Sequence, residues 1–253
     1  MIKGKKMCCG MTYFCPTVQF DGKQLEDDFP PIYYVNAFTK PFYPVITNDL
    51  PNKIQWFQWG LIPYFCRSEQ AAKSIVQKTV NARSETVFSR PAFKSAALYQ
   101  RCIVPVTGFL EWHDQNGKKY PFFVSEPDQK PFFLAGIWNR WTNPENQKVI
   151  ATFSILTTEA NDFLAKIHNL KKRMPVILSQ KNAKLWLDKT ATVEQLKAIL
   201  VPYVGQLVAW PIAKINPRQN NNDRPDILRP YHYPELKSFW SNDNSEKMIA
   251  NQI

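Results

Sequence analysis

The chain has 253 residues, 44% of them apolar and 14% aromatic, with 20 prolines against 8 glycines; it can bury a sizeable core, and it favours short strands and turns over long helices. Its net charge of +11 favours a polyanionic partner, nucleic acid before an anionic membrane, although a basic soluble protein would carry the same charge. Five cysteines with no C-x-x-C pair argue against a disulfide framework and for reduced thiols in a cytosol; the basic start lacks the apolar stretch of a secretory signal, and no apolar run is long enough to span a membrane.

In chain order, Met1–Lys6 precedes Met7, which Cys8 follows directly. Trp56-Phe57-Gln58-Trp59-Gly60-Leu61-Ile62-Pro63 is aromatic and then turns; its rings belong to a core or stack on bases. Asn81-Ala82-Arg83-Ser84-Glu85-Thr86, with Arg90 beyond, is a polar cluster. Strand character recurs at Arg101–Trp112, Lys119–Val124, Pro131–Trp141 and Lys148–Thr157, with turns at Asp114–Gly117 and Asn143–Gln147. Strands this close predict an antiparallel meander. Thr158 is placed to cap a helix carrying Ala160, Phe163, Leu164 and Ile167 at helical spacing. Short strands are expected at Met174–Leu178 and Leu207–Ile212. Ser179 is expected to cap a helix over Gln180–Leu187, and Thr192 with Gln195 makes a capping box ahead of Leu196, Ile199, Leu200 and Tyr203. Central strands with helices around them predict an α+β fold: a single domain over residues 7–240, built on a curved, largely antiparallel β-sheet or barrel with peripheral helices. Residues 1–6 form an extra segment and residues 241–253 a polar, flexible tail.

The residues that could carry chemistry are few. If translation began at Met7, its removal would leave Cys8 with a free α-amine beside its thiol, and the two can close a thiazolidine on one aldehyde. The plainer reading is a small buried apolar residue. Glu111 lies inside Gly108-Phe109-Leu110-Glu111-Trp112; alternation allows it a solvent face or burial, and burial would make it a proton shuttle near neutral pH. Of three histidines, His113 falls in a turn and His232 in a Pro-rich tail. His168, at the end of the predicted helix and before Lys171-Lys172-Arg173, is the acid/base candidate, although a helix C-terminus also stabilises an imidazolium with no catalytic role. Arg83 and Arg90 carry guanidinium forks suited to phosphates or to pairing with Glu85. Cys8, Cys9, Cys15 and Cys66 lack zinc-ligand spacing, and neither metal nor cofactor is expected.

Taken in order, Met7-Cys8, Pro44-Val45-Ile46, Trp59-Gly60-Leu61-Ile62-Pro63, Asn81–Thr86, Arg101-Cys102-Ile103-Val104-Pro105 through Glu111-Trp112, Thr157-Thr158-Glu159-Ala160-Asn161, and Ile167-His168 to Arg173-Met174-Pro175-Val176-Ile177-Leu178 resemble the SOS-response-associated peptidase (SRAP) family of abasic-site-processing proteins. The resemblance runs over roughly residues 7 to 230. It implies one α+β domain that binds single-stranded DNA containing abasic sites and traps the opened sugar on an N-terminal cysteine freed by methionine removal or self-processing. By position, Cys8 matches the nucleophile, Asn81 the residue that positions it, Glu111 the acid/base, and His168 the histidine over the sugar. Arg83 and Arg90 match phosphate contacts, with Trp59 and Thr157 on the DNA side. Such a protein would be a cytoplasmic monomer associating with the nucleoid during DNA damage. Two cysteines stand where the family commonly has one, followed by Gly-Arg; an alignment on Cys-Gly selects Cys9, whereas only Cys8 follows a methionine. The usual short His-x-Arg-Met-Pro link is lengthened here, which leaves the role of Arg173 open. An N-terminal-nucleophile thiol hydrolase using Cys8, Glu111 and His168 is the alternative, and a plain nucleic-acid-binding module a third reading.

Overall fold

The computed structural model describes residues 10–15, 17–26, 30–216 and 222–236. Cys8, Cys9 and the expected tail lie outside the described residues. The first third of the chain forms β1 (Gly10–Tyr13), the hairpin β2 (Thr17–Phe20) and β3 (Lys23–Glu26), then β4 (Ile32–Asn36), β5 (Phe42–Thr47) and β6 (Leu50–Trp59). Helix α1 (Glu69–Ile75), strand β7 (Asn81–Arg83) and helix α2 (Pro91–Tyr99) follow. The central strands are β8 (Arg101–Val106), β9 (Gly108–Gln115), β10 (Lys118–Ser125), β11 (Phe132–Thr142) and β12 (Val149–Glu159). The chain continues through α3 (Asp162–Ile167), β13 (Arg173–Pro175), β14 (Ile177–Leu178), α4 (Gln180–Leu187), α5 (Val193–Ala198) and β15 (Val208–Pro211).

Strands β12, β6, β5, β8 and β11 pair in that order, and β11 pairs back onto β12, so this part of the sheet closes into a small barrel. All six residues of β8 are buried, as a strand flanked by β5 and β11 requires. A second sheet runs β15-β10-β9-β1-β4. Only Thr107 separates β8 in the barrel from β9 in the second sheet. Its hydroxyl lies 2.9 Å from that of Thr12, its N–H donates to the Thr12 carbonyl, and the Tyr43 hydroxyl bridges the Thr12 and Pro105 carbonyls. This buried corner fixes β1 against the barrel. A Cβ on Gly108 would lie 2.3 Å from the Phe123 ring, so the corner needs glycine there. Asn116 and Gly117, both with positive φ, make the tight turn between β9 and β10.

The α+β class, the curved sheet closing into a barrel, and the caps on α4 and α5 agree with expectation: Ser179 accepts from Asn182, and the Thr192–Gln195 capping box is complete. Two local expectations give way. Thr158 caps nothing; it pairs with Met174, and Glu159 with Arg173, as β12 extends to meet β13. Helix α3 starts later, capped by Asn161, whose side chain accepts from Leu164 N. The expected meander is divided between two sheets, with β9–β10 in one and β11–β12 in the other. Arg101, read simply as a strand residue, is buried and sends its guanidinium to the carbonyls of Trp186, Asp188, Ala97 and Leu98, satisfying the C-terminal ends of α4 and α2.

Candidate active site

Glu111 lies on β9 beside the start of β1: its neighbour Leu110 pairs with Gly10, and Glu111 itself pairs with Phe122 on the other side. Its side chain is 2% exposed, and Oε1 has no hydrogen-bond partner among the described residues. Burial pushes its pKa up to about 8, against a smaller pull from the Trp112 N–H and the charge of Lys171. Glu111 therefore holds its proton at neutral pH and can donate it.

His168 closes α3, donating its backbone N–H to Leu164. Its Nδ1 is 3.7 Å from Glu111 Oε2 and 2.8 Å from the Arg173 carbonyl. A carbonyl only accepts, so Nδ1 carries a hydrogen. Burial lowers the His168 pKa, which favours the neutral ring and leaves Nε2 as an acceptor. A neutral carboxylic acid thus stands beside a neutral imidazole, one group ready to give a proton and the other to take one.

The lengthened segment after His168 is a closed turn. Lys172 N–H donates to the His168 carbonyl, and the Lys172 carbonyl accepts from Ala160 N–H. The Asn169 amide accepts from Asp114 N and donates to Asp114 O, latching the turn to the end of β9. His113, expected in a turn, is a buried residue of β9 whose Nδ1 lies 3.0 Å from the Lys166 carbonyl. The same strand that carries Glu111 is therefore tied twice to the segment that carries His168.

Arg173, on β13, bonds both carboxylate oxygens of Glu85 at 2.6 and 2.9 Å and the Thr157 carbonyl at 2.6 Å. Burial pushes the Glu85 carboxyl up, but the Arg173 hydrogen bonds, a backbone hydrogen bond and the charges of Arg173 and Arg83 together hold the group below its ordinary range. Arg173 is thus a clamp between β13 and the turn after β7. Its Glu85 partner was legible as an acid able to pair with an arginine, but not with this one.

Asn81 and Arg83 lie on β7, in register with Ile155 and Thr157 of β12. Thr157 also pairs with Pro175 of β13, so β7 and β13 flank opposite edges of β12. Arg83 and Arg90 are exposed, with no ion pair among the described residues. Two residues expected on the DNA side are buried. Trp59 is fully buried, donates its indole N–H to the Val80 carbonyl and stacks on Phe153; barrel closure turns it into the core. Trp56, Tyr64 and Phe65 carry exposed rings in this region. Thr157 is 1% exposed, and its oxygens face Arg173.

The SOS response associated peptidase (SRAP) family profile matches residues 8–216. The chain belongs to the SRAP family. Among its relatives, "Abasic site processing protein YoqW" of Bacillus subtilis is 31% identical over 206 residues, 80% of this chain and 88% of that one. "Abasic site processing protein HMCES" of Gallus gallus is 28% identical over 213 residues, 76% of this chain and 62% of that one. A crystal structure of a Bacteroides thetaiotaomicron protein superposes with a TM-score of 0.78 at 32% identity, covering 89% of this chain and all of the other. The SRAP fold therefore extends across both sheets described above.

Proposed function

We propose that this SRAP protein acts in the DNA damage response by binding single-stranded DNA and capturing abasic sites on an N-terminal cysteine, Cys8. The observation that carries the reading is the buried Glu111–His168 pair beside the point where the chain enters β1. Gly10 pairs with Leu110, and Cys8 is two residues before it in the sequence; in this reading its nucleophiles work with this proton donor and acceptor. The abasic-site names of the relatives support the substrate.

Glu111 gives its proton to the ring oxygen of the abasic sugar as the sugar opens, and His168 Nε2 takes the proton that leaves the sugar hydroxyl. The Cys8 amine adds to the aldehyde carbon and water departs, giving a Schiff base. The thiol then adds to the C=N carbon, the nitrogen gains the thiol proton, and a thiazolidine closes. Tethering both nucleophiles to one residue replaces two encounters with one. Asn81 orients the N-terminus, and Arg83 and Arg90 hold phosphates. The peptidase step of the family name is self-processing: hydrolysis of the Met7–Cys8 peptide frees the amine.

The test uses the full chain with a single strand bearing one abasic site and with its intact counterpart. A heat-stable adduct on the abasic strand alone, absent from Cys8→Ala, is expected. Adduct on both strands, or on neither, overturns the reading.

A further inference from the structure

Five lysines lie on segments that meet beside the site: Lys118 and Lys119 after the Asn116-Gly117 turn, Lys166 on α3, and Lys171 and Lys172 in the turn after His168. The two stretches, 118–119 and 166–172, are separated in sequence and are joined through the two Asn169–Asp114 bonds and His113 on the Lys166 carbonyl. Asp114 answers Lys119 at 2.7 Å. Lys118, Lys166 and Lys172 are exposed and have no ion pair among the described residues. The charges of Lys171 and Lys119 are felt at His168 itself, so these two border the reacting groups.

Like charges held together repel, and the cost is recovered when an anion arrives. Here contacts to the backbone hold the segments together, and Lys118, Lys166 and Lys172 stand without a matching carboxylate among the described residues. Two of the five, Lys171 and Lys172, come from the lengthened His168–Arg173 segment.

We infer that this lysine face is a phosphate track for the DNA strand on the His168 side of the lesion, separate from the contacts of Arg83 and Arg90. The inference rests on the reading that the site takes single-stranded DNA. A track of this kind reads backbone charge and not the lesion, so its contribution is the same on intact and damaged strands.

The test is the salt dependence of binding to an intact single strand and to one carrying a chemically inert abasic analogue. Replacing Lys118, Lys166 and Lys172 together by alanine should flatten the slope of log K against log salt by about 2 on both strands, at about 0.7 per lost phosphate contact. The matching triple arginine variant should keep the slope. A control triple, Lys181→Ala, Lys184→Ala and Lys189→Ala, removes the same charge from α4 and the turn after it, a helix packed on β8, β11 and β14, and should also keep it. An unchanged slope in the first triple, an equal loss in the control, or a loss confined to the abasic analogue overturns the track. Failure of the unmodified protein to form an adduct would instead overturn the capture reading, and the slopes on intact DNA would still decide the track.

Discussion

His168 Nδ1 stands 3.7 Å from Glu111 Oε2 but directs its hydrogen to the Arg173 carbonyl at 2.8 Å. The two groups are neighbours without being a hydrogen-bonded ion pair. The carboxyl is left to burial, which drives it towards the protonated form, and the imidazole is anchored with Nε2 free to accept.

The Glu111 proton makes stability depend on pH in a definite direction. Its pKa rises from an ordinary 4.5 to about 8 in the folded protein. Between those values the folded chain keeps a proton that the unfolded chain has lost, so this contribution is fully present below 4.5 and is lost as pH rises through 8. His168 works the other way: its folded pKa lies below 6.5, and its contribution is lost as pH falls through that lower folded value. Melting temperatures should therefore show Glu111→Gln gaining on the unmodified protein from pH 5 to pH 8 and holding that lead above it. The same variant should slow adduct formation by roughly 100-fold or more while binding DNA nearly normally. Parallel melting curves for the two proteins across pH would contradict a buried, protonated Glu111.

The acid and the histidine were legible in the sequence because strand alternation left Glu111 between two apolar residues and because histidines are scarce. Family resemblance then set their roles. What local pattern could not supply was partnership across the chain. Thr158 and Asn161 are both plausible caps, and only pairing with β13 keeps Thr158 in the strand. Trp59 sits in an aromatic run that reads equally well as core or as a base-stacking surface; the barrel, closed through the parallel β12–β6 pair, buries it. The Arg173–Glu85 pair joins residues 88 apart, beyond any spacing rule.

That pair leads to a prediction about stability. Arg173→Met removes two charged hydrogen bonds and the donor to the Thr157 carbonyl. Because the Glu85 side chain is 44% exposed, water recovers part of the loss, and the unfolding free energy from urea denaturation at pH 7 should fall by roughly 2–3 kcal/mol, with a lower midpoint. Arg173→Lys keeps the charge but loses the fork, and should fall between the two. Indistinguishable midpoints for all three proteins would show that the clamp does not hold β13.

Arg83 and Arg90 are exposed on the chain near Asn81. If each contacts one phosphate, either alanine replacement flattens the salt slope of single-strand binding by about 0.7, and the double replacement by about 1.4. The affinity loss should be largest at low salt. Slopes that match the unmodified protein in all three variants would remove these arginines from the DNA surface.

The start of the chain gives the sharpest test. Thiazolidine closure needs the amine and the thiol free on one residue, and an acylated amine cannot form the Schiff base. Met7 bonded to Cys8 would block it, so the active protein should begin at Cys8, and intact-mass measurement of crosslinking-competent protein reads this directly. Cys8→Ala should lose the heat-stable adduct but retain a weaker product, trapped by borohydride, through the alanine amine. Cys9→Ala should keep the stable adduct, because its loss leaves both nucleophiles of Cys8 intact. The reverse pattern, with Cys9 needed and Cys8 dispensable, would move the nucleophile one residue towards Gly10 and the start of β1. Crosslinking at the normal rate by protein still carrying Met7 would exclude a terminal cysteine altogether, leaving a thiol or an internal amine to hold the sugar by a bond that heat should reverse.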